Sequence, residues 1–450
     1  MTSQPRTFDL AIIGTGVAGR TAADDALDAG LSVALVDRGE FGGTCALRGC
    51  EPKKVLFAAA EAVRRVRAQV GNGVVGSATL DWARLVEFKR TFTEPLPALF
   101  EDMYGDRGAA VLHGTAGFTG PDTIDVAGTA VRAGAVLVAT GAVPSPLGFP
   151  GEELAIDSEA FMDLPSMPGR VAFIGGGYIS FEFAPIASAA GARVTIAHRG
   201  AAPLARFDAR LVEPLVAGYR DSGIDVRLSS PVREVRRVPD GSLEIEFADG
   251  SALACDLAVH GAGRVPDLAD LALDAGEVAF DRRGVSVDDT MCSTTNPRVF
   301  AAGDAAALGE PLTPVAIAQA RVALANIVEP GSAHYGAPLV PSVVFSDPPL
   351  AAVGLTERAA AEQGVDAETF VTDTSSWVSS QRVGVRHSEA ITVVERGTGR
   401  VLGAHVLGHH AEELVNLFAL AIDRGATAQE LKSMVWAYPT ASSEIVYLLG

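Results

Sequence analysis

Twice along this chain a short, β-branched apolar run empties into a glycine cluster and then into a helical pattern. The first instance reads Phe8-Asp9-Leu10-Ala11-Ile12-Ile13, then Gly14-Thr15-Gly16-Val17-Ala18-Gly19, then an alanine-rich stretch to Gly30. A second strand, Leu31–Val36, closes on Asp37. A continuous apolar run marks a strand buried on both faces, and parallel neighbours require a helical crossover, so this order commits the chain to a parallel α/β sheet. The glycine spacing adds a ligand. Gly14 permits the tight turn, Gly16 lets a pyrophosphate approach backbone amides, and Gly19 lets helix and strand pack closely. Asp37, roughly twenty residues beyond the glycines, is placed to accept ribose hydroxyls.

The second instance has the strand Arg170–Ile174, the turn Gly175-Gly176-Gly177-Tyr178-Ile179-Ser180, a helix to Gly191 and the strand Arg193–Ala197. It ends in His198-Arg199, with Arg206 shortly after, where an acid would read the ribose of NAD. Basic residues there accept the 2′-phosphate of NADP, so NADPH is expected over NADH. Ser180 and Ala184, at positions where glycines would pack more tightly, point the same way. The competing reading makes Arg199 and Arg206 an ordinary solvated surface.

Between the two fingerprints lies Gly42-Gly43-Thr44-Cys45-Ala46-Leu47-Arg48-Gly49-Cys50-Glu51-Pro52-Lys53-Lys54, which holds two of the chain's 4 cysteines. Zinc pairs need two further ligands nearby, and Cys255 and Cys292 are isolated and distant, so no metal site is expected. Four cysteines in 450 residues make no stapling framework, and a reducing compartment would keep such a pair open. The remaining reading is a pair that cycles between dithiol and disulfide. The spacing predicts Cys45 and Cys50 one turn apart at a helix start, where the dipole favours a thiolate, with Lys53 and Lys54 following. Two dinucleotide sites with a redox pair beside the first describe an electron path: nicotinamide, a second carrier inferred to be a flavin, then the disulfide.

The rest of the chain sets bounds. Its length suits about three domains, and 48% hydrophobic against 20% charged residues is a globular composition. A net charge of -19 disfavours nucleic acid and anionic membrane as partners. The first apolar segment, Leu10–Ile13, is a strand's length and lacks a basic flank, so the chain reads as soluble and cytoplasmic. A helix is expected over 54–70 and a second helical region over 82–103, broken near Pro95 and Pro97. Strands are expected around Val111 and Ile124 and at Ala135–Ala139, the last ending in the turn Thr140-Gly141 before a proline-rich linker at 144–150.

With these residues in hand, the chain resembles the pyridine nucleotide–disulfide oxidoreductases of the glutathione reductase and dihydrolipoamide dehydrogenase kind, over nearly its whole length. The markers are the Gly42–Lys54 stretch, Ala139-Thr140-Gly141, Gly263-Arg264-Val265-Pro266, Ala302-Gly303-Asp304 and Leu312-Thr313-Pro314-Val315-Ala316. Further on, Val343–Pro349 and Val353–Glu357 match as well. The resemblance implies an α/β fold: two Rossmann-like dinucleotide-binding domains, for FAD and NAD(P), plus a C-terminal α+β dimerisation domain. It places the FAD domain at 1–149 and 265–335, the NAD(P) domain at 150–264 and the dimerisation domain at 336–450. It further implies a homodimer with the active site shared across the interface. Gly43, Thr44, Lys54, Thr140, Gly141, Asp304, Thr313 and Ala316 would contact FAD, with Asp304 on the ribityl chain. Gly175, Gly177, Tyr178, Ile179, His198, Arg199, Arg206, Gly263 and Arg264 would serve the nicotinamide nucleotide, with Tyr178 covering its pocket. Lys53 would pair with Glu182 beside the flavin, Cys45 would attack substrate and Cys50 would face the flavin.

Two departures bear on the substrate. Where the disulfide-reducing members carry His-Pro-Thr with a Glu five residues on, this tail reads Tyr438-Pro439-Thr440-Ala441-Ser442-Ser443-Glu444. Tyrosine, with its pKa near 10, is a poor base at neutral pH, and losing a general acid–base group costs about 10² to 10⁴ in rate. The position that meets a glutathione carboxylate holds Asp24, and an aromatic hydroxyl of the family aligns with Phe100. The expected activity is therefore an NADPH-dependent FAD disulfide reductase acting on a small disulfide other than glutathione disulfide. A reductase of quinones, metal ions or other oxidants is the alternative, followed by a thiol-based redox sensor. Mercuric reductases share a tail tyrosine but need a C-terminal vicinal cysteine pair, and this chain ends Tyr447-Leu448-Leu449-Gly450. His409-His410 is expected to be a solvated pair, and Cys255 and Cys292 to be packing residues.

Overall fold

The computed structural model describes residues 5–336 and 338–450. Along the chain its first helices are α1 (Val17–Asp28), α2 (Gly43–Arg48), α3 (Cys50–Gln69), α4 (Trp82–Thr93) and α5 (Leu96–Asp106). They are followed by α6 (Ser158–Met162), α7 (Tyr178–Ala189), α8 (Ala209–Asp221) and α9 (Thr313–Val328). The fold is α/β and separates into two compact units, 1–54 with 87–145 and 264–338, and 55–86 with 146–263 and 339–450.

In the first unit, Arg6–Ile13 pairs in parallel with Val33–Asp37 on one side and Thr129–Val138 on the other. Ala110–His113 extends the sheet beyond Val33–Asp37, and Val299–Ala301 pairs in parallel with Thr129–Val138. Leu10, Ala11, Ile12, Val33–Val36 and Val136–Val138 are at most 1% exposed, as two-sided burial demands. The order reverses at Arg6–Ile13, so the crevice beyond its carboxyl end, at Gly14, is the place where such sheets bind ligands. Helix α1 crosses back and packs against α9. The strand Ala116–Gly120, which the sequence reading did not separate from its neighbours, forms an antiparallel branch with Thr123–Val126 and Thr129–Val138.

The second unit repeats the plan. Its parallel sheet runs Asp225–Arg227, Arg193–Ala197, Arg170–Ile174, Leu257–His260, Ala155–Ile156. Arg170–Ile174 is again the reversal point and again opens into glycines. A separate antiparallel sheet runs Ser342–Val344, Leu350–Gly354, Val401–Leu407, Glu389–Glu395, Ala367–Asp373. Helix Ala411–Asp423 buries Leu414, Val415 and Phe418 as part of that sheet's core.

The cysteine stretch differs from expectation. A single helix start carrying both thiols does not form. Cys45 lies in the short helix α2, the chain breaks at Gly49, and Cys50 is the first residue of α3. The broken geometry requires glycine: a Cβ at position 49 would stand 2.8 Å from the Thr44 carbonyl oxygen. The break gives Cys50 a helix N-terminus of its own.

Candidate active site

The first glycine loop is built by close backbone approach. Gly14 has φ +108°, and a Cβ there would fall 2.3 Å from the Ala139 carbonyl oxygen. Gly43, at φ +69°, sits on the loop itself, since its Cβ would lie 2.3 Å from Gly16 Cα. That contact seats α2 against the fingerprint. A Cβ on Gly16, by contrast, would meet nothing within 4 Å. Helix α1 has Gly16 as its N-cap and no capping side chain, so its first amides are open donors for a phosphate.

Asp37 is held in place by the loop. Thr15 donates to its Oδ2 from the backbone amide (2.8 Å) and the hydroxyl (2.6 Å), and the Gly39 amide donates to Oδ1 (2.9 Å). Gly42 in turn donates to Thr15 Oγ1 (3.1 Å), tying the cysteine stretch to the Thr15–Asp37 pair. A cavity of about 70 Å³ lies beyond the strand ends, lined by Gly14, Asp37, Gly114 and Thr140. Thr140 Oγ1 is buried with no hydrogen-bond partner among the described residues. Leaving such a group unmatched costs about 1–3 kcal/mol. This orphan hydroxyl, the open space above Gly16 and the uncapped helix together fit a dinucleotide such as FAD.

Asp304 lies in the turn Gly303–Ala305, which Gln319 of α9 fixes by accepting from the Gly303 amide (2.8 Å). Burial raises the Asp304 carboxyl, against the pull of Arg264. Arg264 itself donates to the Ala142 carbonyl. Ala316, on the first turn of α9, packs toward Gly303.

The two thiols are free and meet a third residue that the spacing could not supply. Thr313, first residue of α9, donates from Oγ1 to Cys45 Sγ at 3.4 Å, and the same oxygen is 3.7 Å from Cys50 Sγ. Cys50 is pulled down to about 6, chiefly by its hydrogen bond with Cys45, then by Thr313 and the charges of Lys53 and Lys54. Cys45 moves the opposite way, raised by that same hydrogen bond and by burial. The dithiol therefore shares one proton, with the negative charge on Cys50 at the start of α3.

In the second unit Gly175 has φ +123° and lies against Gly261, whose carbonyl oxygen a Cβ would approach to 2.2 Å. Helix α7 starts at Gly177 without a capping side chain, again leaving amides for a phosphate. Ser180 Oγ is buried and unpartnered among the described residues, facing Gly261 where a Cβ would lie 2.1 Å away. Tyr178 packs on Phe207 (centroids 5.8 Å), is raised by burial and feels the charge of Arg206. Arg199 and Arg206 are exposed, as a 2′-phosphate site requires. His198 is different: its Nε2 is 3.1 Å from the Ala202 carbonyl oxygen, and burial lowers its titration, so it is neutral at pH 7. Glu182, 2% exposed, accepts from the Phe345 amide at 3.0 Å. Lys53 and Glu182 fall in different units.

The tail also resolves. Tyr438 is 86% exposed. Ser443 is spent on a capping box with Thr440, and burial raises the Glu444 carboxyl. Asp24 ion-pairs with Arg107 (2.5 Å), and the Arg20 guanidinium lies 4.1 Å from the Phe100 ring centroid. Both features were invisible to one-by-one alignment of positions. The His409 and His410 rings stand 3.6 Å apart, and His409 is pushed down to about 4 by burial and by His410, so the pair is only half-solvated. No group of three or more His, Cys, Asp or Glu placed to hold a metal occurs among the described residues. No helix among the described residues is long and apolar enough to cross a membrane. Cys255 is buried in a strand core, and Cys292 is half-buried.

Comparison with known proteins is consistent along the whole chain. Residues 8–320 match the family described as pyridine nucleotide-disulphide oxidoreductase, and residues 340–449 match its dimerisation domain. The chain is 35% identical over 454 residues to a glutathione reductase of Burkholderia cepacia, covering 99% of both. It is 33% identical over 460 residues to a mercuric reductase of Streptomyces lividans, covering 97% of this chain and 94% of that one. The solved structure of the HOCl-induced flavoprotein disulfide reductase RclA from Escherichia coli superposes with a TM-score of 0.88 at 25% identity, covering 98% and 99%. A Cu(II) complex of the same RclA superposes at 0.89 and 25%, covering 99% of each chain.

Proposed function

The chain belongs to the pyridine nucleotide–disulphide oxidoreductases, FAD-dependent enzymes that draw on NADPH, and from that premise we propose that it reduces a small disulfide other than glutathione disulfide through Cys45 and Cys50. The observation that carries this reading is the shared-proton dithiol on Thr313. The first glycine loop, Asp37, Thr140, Gly141, Asp304 and Ala316 hold FAD, while Gly175, Gly177, Tyr178, Arg199 and Arg206 hold NADPH. FAD, when bound, supplies the two-electron link between nicotinamide and dithiol. Lys53 and Glu182 are kept as the charged pair that the family places beside the flavin. The dimerisation domain makes a homodimer the working assembly.

The thiol chemistry follows from the proton. Reducing the Cys45–Cys50 disulfide takes two electrons and one proton, leaving one thiol and one thiolate. Cys45 must lose its proton to attack, and the neighbouring Cys50 thiolate accepts it through their hydrogen bond. Attack by Cys45 sulphur forms a mixed disulfide and expels the first thiolate of the substrate. Cys50, deprotonated again as the departing thiolate takes its proton, then attacks Cys45 sulphur, restores the disulfide and releases the second substrate sulphur as a thiolate, which takes its proton from solvent. This internal base accounts for a working dithiol without the family's tail histidine. Protonation of the leaving thiolate is the step it serves least well.

That weakness supports a second reading, in which the acceptor is a metal ion or quinone and no thiolate has to leave. The Cu(II) complex of RclA and the mercuric reductase relative lend it chemistry. The deciding experiment measures NADPH oxidation by the holoenzyme with glutathione disulfide, cystine, cystamine, a quinone and Cu(II), for wild type, Cys45→Ala and Tyr438→His. Disulfide turnover that vanishes in Cys45→Ala and rises tenfold or more in Tyr438→His is expected. Glutathione disulfide as the best acceptor sinks the substrate proposal, and turnover confined to quinone or Cu(II) establishes the second reading.

A further inference from the structure

The second unit contains a cavity of about 330 Å³ that the electron path does not use. Its walls come from the C-terminal two-thirds of α3, the C-terminal half of α7, the end of α8 and residues 384–387. It meets α7 at Pro185, Ser188 and Ala189, whereas the glycine loop caps the opposite end of that helix at Gly177. Eight to twelve residues at 1.5 Å each put about 12–18 Å between the two, so this is not the nicotinamide nucleotide's pocket. The size falls within the range of small-molecule sites.

The lining is apolar within and cationic at the rim. Phe57, Pro185, Ile224 and Val385 supply flat, greasy wall. Three acids line it, and each is already matched. Asp347 pairs with Arg64 (2.7 Å), Glu61 with Arg65 (2.7 Å) and Asp221 with His387 (2.8 Å). Two lining arginines are left over. Arg67 and Arg386 are exposed and have no ion-pair or hydrogen-bond partner among the described residues. In a chain of net charge -19, two guanidinium groups without partners on one cavity leave cationic donors open to an anion. Guanidinium forks are suited to carboxylate, sulfonate or phosphate oxygens, and the walls suit an aromatic body.

We infer that this cavity is a second small-molecule site, taking an aromatic anion whose ring lies between Phe57, Pro185 and Val385 and whose charged group meets Arg67 and Arg386. The inference does not depend on which oxidant the dithiol reduces. Its test uses the holoenzyme saturated with NADP⁺, so that the dinucleotide site cannot accept the probe. Naphthalene-2-sulfonate is titrated by its own fluorescence and by calorimetry, with naphthalene-2-methanol as the uncharged control. One site per chain is expected, with binding at least tenfold weaker for the alcohol and for Arg67→Ala/Arg386→Ala. Ser188→Phe, which fills the cavity from a half-buried position, should abolish binding while the KM for NADPH stays within twofold of wild type. Absence of saturable binding under NADP⁺, or equal affinity in the double arginine variant, overturns the proposal.

Discussion

Removing the Cys45 thiol should change the acidity of Cys50 more than any other single substitution, because the Cys45 hydrogen bond is the largest influence on it. With its titration at about 6 rather than 9.0, Cys50 is about 90% thiolate at pH 7 instead of about 1%. The gain in reactivity is smaller than that ratio. Nucleophilicity falls with basicity at a slope of roughly 0.4–0.5, so three units cost about 16- to 32-fold and leave a net advantage of only about three- to sixfold at pH 7. Absolute rate is therefore a weak test and the pH midpoint a strong one. The NADPH-reduced holoenzyme is alkylated with iodoacetamide between pH 4 and 10, with labelled cysteines mapped by mass spectrometry. Loss of the first of the two thiols should follow a midpoint near pH 6, whichever sulphur takes the label, because the pair shares one proton. Below that midpoint the thiolate is protonated and the rate falls tenfold per unit. In Cys45→Ala the midpoint should climb by a unit or more, because burial still opposes ionisation and only Thr313, Lys53 and Lys54 remain to favour it. A wild-type midpoint of 8 or above, or one that Cys45→Ala leaves unmoved, refutes the shared-proton argument.

Two further outcomes follow from the glycine loops. Arg199→Glu and Arg206→Glu should each lower the kcat/KM preference for NADPH over NADH about tenfold, measured with both nucleotides, while His198→Ala, which removes a neutral ring, should change it less than threefold. Gly43→Ala forces a Cβ within 2.3 Å of Gly16 Cα at φ +69°, so the purified protein should carry a small fraction of the wild-type flavin, read from its visible absorbance against protein.

Where the chemistry is local, it was legible. The strands Arg170–Ile174 and Arg193–Ala197 and the start of α7 stand where the pattern put them, because apolar runs and glycine turns are decided within a few residues. The break between Cys45 and Cys50 was missed although Gly49 signalled it. The need for glycine there is a clash with the Thr44 carbonyl, which appears only once α2 has formed. Tail and substrate positions read by alignment lost their partners in the same way. Asp24 looked like a repelling acid until Arg107 closed on it, and Ser443, at the family's Glu position, is held in a capping box with Thr440.

By itself, then, the sequence determined two dinucleotide folds, a dithiol beside the first, and the basic end of the second. Each rests on residues neighbouring one another in the chain. The tertiary structure decided how the dithiol is tuned. Thr313 comes from 268 residues beyond Cys45 to stand against both sulphurs, and the packing of α9 on α1 brings it there. It also decided which charges remain unspent, since whether an arginine such as Arg386 has a partner depends on contacts that no spacing records.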